Sequence, residues 1–448
     1  LSGNLATTGI GALVHGAGGT LTMSGSGKSI AGLDIFLDNL AVTGTVSTAS
    51  SLKAAGNLAV SGTFTASAGV LDLCGTAKTV TGAGTISFYT LKTSGSISST
   101  ANFTISNSLN VTGTMSASAG TATFAGTSTL TGTANLYNVE LNGTSATMDV
   151  DAVLGIANAL TVTAGALDVT TNVPNTVNFN GSGAQTVNAI SYNKLSLSGG
   201  NTKTAAGAVV ALDILIGAST TFNGASYTHE LNRNWTNNGT FTASTSTVKL
   251  IGTEESILTG PTTFNVLTLE KASSAGTAKL ASNISVPTLN MVTGTLFTYA
   301  NTLTITNTRT GNGEIMGNIQ RVHSFTTGVD YAFESPYNTV NFSAVSGVTS
   351  VTVSVATGTI NDFPFGGSIS RVYDIDVPAG TYTATLKLHY RDPELNGNVE
   401  STMALWHYNG SIWVASGSTG NSTTNNYVEQ SGLTNITDRW TLSDNANV

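Results

Sequence analysis

Apolar and polar residues exchange places at every second position through short runs such as GTLTM, GVLDL and GTATF. This is the pattern of a strand with one buried face. Gly, Ser, Asn and Thr break the runs where turns are needed. The runs also repeat. GTLTMSGSGKSIAG ends at Gly32, GVLDLCGTAKTVTG at Gly82, GTATFAGTSTLTG at Gly132, NTVNFNGSGAQTVN at Asn188 and STVKLIGTEESILTG at Gly260. Their anchor glycines are Gly25, Gly75, Gly126, Gly181 and Gly252. The first three steps are close to one another and the last is longer, room for one extra coil around Trp235. Self-similarity at a nearly fixed period marks a stacked architecture, in which each unit buries its apolar face against its neighbours.

Further alternating blocks keep the same period. FLDNLAVTG, FYTLKTSG, LYNVELNG, SYNKLSLSG and FNVLTLEKA follow the five copies, and NLAVSGTFTASAG, SLNVTGTMSASAG and NWTNNGTFTASTS precede three of them. The pattern predicts five or six strands per supra-repeat, arranged as two coils of roughly 20–30 residues each. Residues 1–315 are therefore expected to form a β-solenoid, a parallel β-helix. At a strand spacing of ~4.8 Å its length would be on the order of 50–70 Å. The stretch from Thr204 to Ala218 is the one rival for a helix, and its Val and Ile favour strand.

Composition sharpens this picture. Charged residues are 9% of the chain, well below the about 25% of ordinary globular domains. Neutral strands with Ser, Thr and Asn on their solvent side account for that. The single cysteine, Cys74, cannot form a disulfide within the chain and reads as a small buried apolar residue of its strand. No run is long and apolar enough for a membrane-spanning helix. The first residue is Leu1 rather than Met, the expectation for a processed or trimmed form whose signal has been removed.

After about residue 315 the grammar changes. Three of the four tryptophans lie beyond it, and longer strands such as SVTVSVATG, RVYDIDVPAG and YTATLKLHY are bounded by clear turns. Asn409-Gly410 predicts a two-residue type I′ hairpin. About seven strands in residues 316–448 predict an antiparallel β-sandwich, so the expected fold class is all-β, a β-solenoid followed by a β-sandwich. Residues 1–315 carry 11 basic and 13 acidic groups, net −2, whereas residues 316–448 carry 5 and 11, net −6. No basic patch exists, which excludes a nucleic-acid partner.

The runs SISRVYDIDV, TATLKLHYRDPELNGNVESTMALWHYNGSIWV and GLTNITDRWTLSD resemble a C-terminal β-sandwich module of large secreted bacterial surface proteins. The solenoid is similar to the haemagglutinin-like and adhesin-like repeat regions of the same class. The resemblance implies export and display on or outside the cell, without a defined ligand.

Candidate chemistry is sparse. Asp392, Glu394, Asn396, Asn398 and Glu400 surround a glycine turn and offer alternate oxygens to a structural Ca²⁺, a hard cation that prefers such ligands. A solvated turn whose polar groups satisfy backbone is the competing reading. No cofactor is otherwise expected. Trp406, Tyr408 and Trp413 alternate along their strands and are the candidates for a glycan platform, against a place in the sandwich core. Glycosidase or lyase chemistry needs carboxylates, or a base and a cation, gathered on one face. The charged residues read as scattered, one or two per coil, and none of the five histidines pairs with a Ser, Asp or Cys at a catalytic spacing. An enzyme is not expected. The leading expectation is a secreted structural subunit that polymerises head to tail into a filament or surface layer, because an uncovered coil end pairs readily with another copy. The alternative is a cell-surface adhesin that binds glycans.

Overall fold

The computed structural model describes residues 1–7, 12–363 and 367–444. The chain forms two compact units, one of residues 1–223 with 238–240, the other of residues 224–237 with 241–448. Nearly all regular structure is strand, and the fold class is all-β with a β-solenoid and an antiparallel sheet towards the C-terminus. No described helix is long and apolar enough to cross a membrane. The helical rival between Thr204 and Ala218 is strand, Asn201–Ala205 followed by Val210–Ile216.

In the first coils of the first unit each strand pairs in parallel with the strand three places along the chain. Lys28–Ala31 lies on Thr45–Thr48, Ile35–Leu37 on Leu52–Ala54, and Asn39–Val42 on Leu58–Val60. A coil therefore has three faces. Along one face Leu21, Leu40, Leu58 and Val80 are successive register partners. Their numbering puts one coil at about 20 residues, the short end of the range for structural repeats. The coils are thus at the lower limit of the expectation, and the strands are more numerous. Eight strands, from Lys28–Ala31 to Val70–Leu73, separate Gly25 from Gly75.

Eight strands at three per coil leave each repeat one face short of three full coils, so the sequence motif moves around the solenoid. Thr20–Met23 pairs with Asn39–Val42 on one face, while Val70–Leu73 pairs with Leu52–Ala54 on the next. Thr121–Phe124 lies on Phe103–Ala117 at Phe103↔Ala122, on the third. Thr176–Phe179 continues the column that runs through Lys78↔Ile97, Ile97↔Met115, Met115↔Ala134 and Leu154↔Val177, which is the starting face again.

Close approach between coils explains the glycines. A Cβ on Gly62 would stand 2.0 Å from the carbonyl oxygen of Gly44, and one on Gly84 2.1 Å from that of Gly62. Real Cβ atoms do not come that near a backbone oxygen, so the corner admits only hydrogen. Inside, aliphatic side chains fill the coil and Phe64, Phe88 and Phe103 stack at centroid distances of 6.3 and 6.0 Å, within the range of favourable aromatic pairs.

The second unit begins with the same parallel construction. Thr247–Leu250, Val266–Glu270, Ile284–Thr293 and Thr295–Thr310 follow one another in register. Trp235, Phe241 and Phe264 pack together in its interior, with Trp235 Nε1 donating to Thr262 Oγ1 at 3.2 Å. The change of architecture falls on a single strand, Glu314–Val322. One edge is parallel to Thr295–Thr310, the other antiparallel to Ser350–Thr357. Antiparallel pairing then continues through Arg371–Asp376, Asp438–Ser443, Ala404–Tyr408 and Trp413–Gly417. A second sheet of five strands orders Asp330–Ala332, Thr339–Ser346, Thr381–His389, Tyr427–Leu433 and Gly420–Ser422. The Tyr373 hydroxyl, from the first sheet, donates to the carbonyl of His389 in the second.

The expected two-residue turn at Asn409-Gly410 is a four-residue loop. Tyr408 pairs with Trp413, only Gly410 in the loop has positive φ, and Asn409 Oδ1 accepts from the amides of Ser411 and Ile412 at 3.1 Å each. The asparagine side chain, which competes readily for nearby backbone donors, takes the amides that a type I′ turn would have ordered differently.

Candidate functional site

The oxygens proposed for Ca²⁺ do not converge. Glu394 binds the guanidinium of Arg371 through both oxygens, at 2.7 and 2.8 Å. Asn398 Oδ1 accepts from Ser443 Oγ at 3.2 Å and from the Asp444 amide at 2.9 Å. Asn396 donates to the Ser368 carbonyl, Asp392 accepts from Asn426, and the Glu400 carbonyl accepts from Asn421. Asp392–Glu394 and Glu400–Thr402 are short 3₁₀ turns, which point successive side chains in different directions. Four of the five side chains, those of Asp392, Glu394, Asn396 and Asn398, tie the loop to its surroundings.

Acidic groups gather instead around Arg371, which is wholly buried. Its Nη1 donates to Glu334 Oε1 at 2.7 Å and its Nη2 lies 3.5 Å from Glu314 Oε2. Arg391 holds Glu314 from the other side, and His389 Nδ1 stands 3.1 Å from Glu334 Oε1. Glu314, Glu334 and His389 bring ligand atoms within 4.8 Å of one another. Three carboxylates here, Glu314, Glu334 and Glu394, meet two guanidinium groups, those of Arg371 and Arg391; a third, Arg309, bonds the nearby carbonyls of Gly311, Gly313 and Glu334. With Arg309 counted the formal charges cancel, and Arg371 already engages two of the three groups that could hold a metal, Glu334 and Glu314. Burial alone would raise the Glu334 pKa; Arg371 and His389 outweigh it and hold the group well down, at about 2. The network is an ionic lock between strands, and sequence reasoning missed it because its members are spread from residue 309 to residue 394.

Trp406 and Trp413 are 1% and 3% exposed and pack on Phe363 at centroid distances of 5.4 and 5.3 Å. Buried to this degree they are core residues rather than a sugar platform. Tyr408 is half-buried, and its ring and that of Trp413 lie under the Arg439 guanidinium at 4.7 and 4.9 Å. The alternation that placed these side chains on one face is real, and that face, opposite the one Tyr373 turns to the second sheet, is closed over by Phe363 and Arg439.

An open cleft does occur in the first unit. It has a volume of about 550 Å³, within the range typical of ligand pockets. Outward residues of five successive coils form its wall, because Val14, Phe36, Lys53, Asp72 and Lys92 are consecutive register partners. Asp34 and Val70 flank this column. Phe36 and Val70 are half-buried, while Val14, Asp34 and Lys53 are exposed. Asp72 is 7% exposed; its Oδ2 lies 3.6 Å from Lys92 Nζ and its Oδ1 accepts from Ser94 Oγ at 2.6 Å. Lys53 and Asp34 make no ion pair among the described residues. The charged residues of this stretch, expected to be scattered, are therefore aligned. From Phe36 onward each follows the last by one coil length, a signal that can be read only once the coil length is known.

Two lysines among the described residues are buried in the parallel coils and held by neutral oxygens. Lys203 Nζ donates to the carbonyls of Gly181 and Gly183 at 2.5 and 2.9 Å and to Gln185 Oε1 at 2.7 Å. Lys271 Nζ donates to the carbonyls of Ile251 and Glu254 at 2.8 Å each and to Ser256 Oγ at 2.7 Å. Both gather turn carbonyls next to an anchor glycine, Gly181 or Gly252. Burial lowers both pKa values, that of Lys271 to about 8. Such lysines are candidates for nucleophiles in an active site. Here each ammonium is enclosed by backbone oxygens, which is a structural use.

No protein-family model, no curated protein and no solved structure matches this chain.

Proposed function

We propose that the protein is a non-catalytic structural subunit, displayed outside the cell, that associates with copies of itself into a filament or surface layer. The exposed apolar surface of the first coils carries the reading. At strand Glu314–Val322 both edges are paired, so the parallel stack in that unit is sealed by the sandwich sheet. In the first coils of the other unit an apolar side chain faces outward, Leu33 at 71% exposed. Exposed apolar groups of this kind are what a contact between copies covers. A contact between unlike surfaces that does not close on itself propagates as a fibre. Negative-stain imaging of the intact chain tests this: the expected result is fibres or sheets, dispersed by Leu33→Asp. Single particles of monomer mass at high concentration would refute it.

The cleft along Phe36 and Lys53 favours a second, compatible reading, recognition of glycans by the solenoid surface. It replaces the sandwich aromatics as the place for such binding. A scaffold built from coils presents the same outward column at a regular pitch, which suits a repeating polymer.

A further inference from the structure

We infer that the cleft of the first unit binds an uncharged pyranose chain lying along the solenoid axis; this rests on the glycan-recognition reading above. Three features of the cleft point to that class of ligand.

The first is pitch. The column from Val14 to Lys92 places one side chain per coil at the strand spacing of ~4.8 Å. That step is comparable with the length of a single pyranose ring, so successive sugars meet successive coils.

The second is the mixture of surfaces. Phe36, flanked in the cleft by Val14 and Val70, offers an apolar patch. One face of a pyranose is lined with C–H groups and stacks on such a patch, while its equatorial hydroxyls project sideways. Asp34 lies to the side of the column and Lys53 one coil along from Phe36, so donors and acceptors adjoin the patch.

The third is charge. Two aspartates and two lysines line the cleft, and their charges sum to zero. Asp72 and Lys92 already satisfy each other, and Ser94 completes the carboxylate. The remaining Lys53 and Asp34 are of opposite sign. An acidic polymer gains an attraction at Lys53 and meets a repulsion at Asp34; a basic one has the reverse. Hydroxyl groups both donate and accept, and so satisfy both residues without bringing a charge into the cleft.

Isothermal titration calorimetry on the intact chain tests the inference, with cellohexaose, mannohexaose and xylohexaose as neutral probes and hexagalacturonate as the acidic one. At least one neutral hexamer is expected to bind more tightly than hexagalacturonate. Phe36→Ala should weaken it by about tenfold or more, as loss of a central aromatic contact does. Lys53→Ala, at an exposed position that folding tolerates, should weaken it severalfold, and Tyr299→Ala, in the other unit, should leave it unchanged. Melting curves of the variants confirm that each is folded. Tighter binding of hexagalacturonate at this cleft would overturn the neutral class while leaving glycan recognition standing. Binding that survives both Phe36→Ala and Lys53→Ala would remove the cleft as the site. No heat with any hexamer at millimolar concentration would remove both this inference and the glycan reading.

Discussion

Arg371 grips both carboxylate oxygens of Glu394, with Nε and Nη2 at 2.7 and 2.8 Å, the arginine wholly buried and the glutamate largely so. A planar guanidinium matches a carboxylate in this two-bond geometry, which a lysine cannot reproduce. The same arginine reaches Glu334 from the neighbouring segment. It therefore ties the first sandwich sheet to two loops at once.

Replacing Arg371 with Met is expected to destabilise the second unit by about 3–5 kcal/mol, because it leaves buried carboxylates without their counter-charge. Arg371→Lys should recover only a part of this. Urea unfolding followed by tryptophan fluorescence measures it, since Trp406, Trp413 and Trp440 are all in that sandwich. A loss below about 1 kcal/mol would reduce the lock to an ordinary surface pair.

Acid should attack the same network. The Glu334 carboxyl has its pKa held at about 2 in the folded chain, against an ordinary value of 4.5. A depressed acid stabilises the fold above its unfolded pKa, and that contribution disappears as pH falls from 4.5 through 2. Glu334→Gln is expected to flatten this part of the pH profile of unfolding, leaving less stability near neutral pH but less to lose in acid. Parallel profiles for the two proteins would contradict the assignment.

Lys271 should give a slope of the same sign at the alkaline end. Burial lowers its pKa from 10.5 to about 8. The unfolded chain then binds the proton more readily than the folded one between these values, so folding stability rises as pH climbs from 8 to 10.5. Lys271→Met removes this rise, and also weakens the fold at neutral pH by orphaning the carbonyls of Ile251 and Glu254. Guanidinium titrations of both proteins at the two ends of that interval read the difference in slope.

The glycine corners predict a sharp asymmetry. Gly62→Ala would push a methyl to 2.0 Å from the Gly44 carbonyl oxygen and should cost about 3 kcal/mol, at the upper end for overpacking. Gly183→Ala meets nothing within 4 Å and should change stability by less than about 0.5 kcal/mol. Equal effects in thermal melts would mean that the coils part more easily than their backbone contacts imply.

Much of the fold could be read from local pattern. The alternation in GTLTM and GVLDL gives strands because a side chain's face depends only on its neighbours one and two places away. The five anchor glycines give stacking, since a repeated sequence repeats its contacts. The change of grammar near residue 315 reflects the strand Glu314–Val322, where parallel pairing gives way to antiparallel. Where a side chain's environment depends on distant segments, pattern was not enough. Trp406 and Trp413 share a face, but whether that face is open or covered depends on Phe363, which lies well upstream in the chain.

Strand, turn, repetition and the sparing use of charge are properties of contiguous residues, and they were legible in the chain as written. That a coil has three faces came only with the folded molecule, and with it the finding that a motif whose period is not a whole number of coils steps around them. So did the column of Phe36, Lys53, Asp72 and Lys92, and the meeting of Arg371 with carboxylates from three separate segments. Stacking chooses neighbours by coil length and ion pairing chooses them by charge, and neither choice is written in the order of the residues.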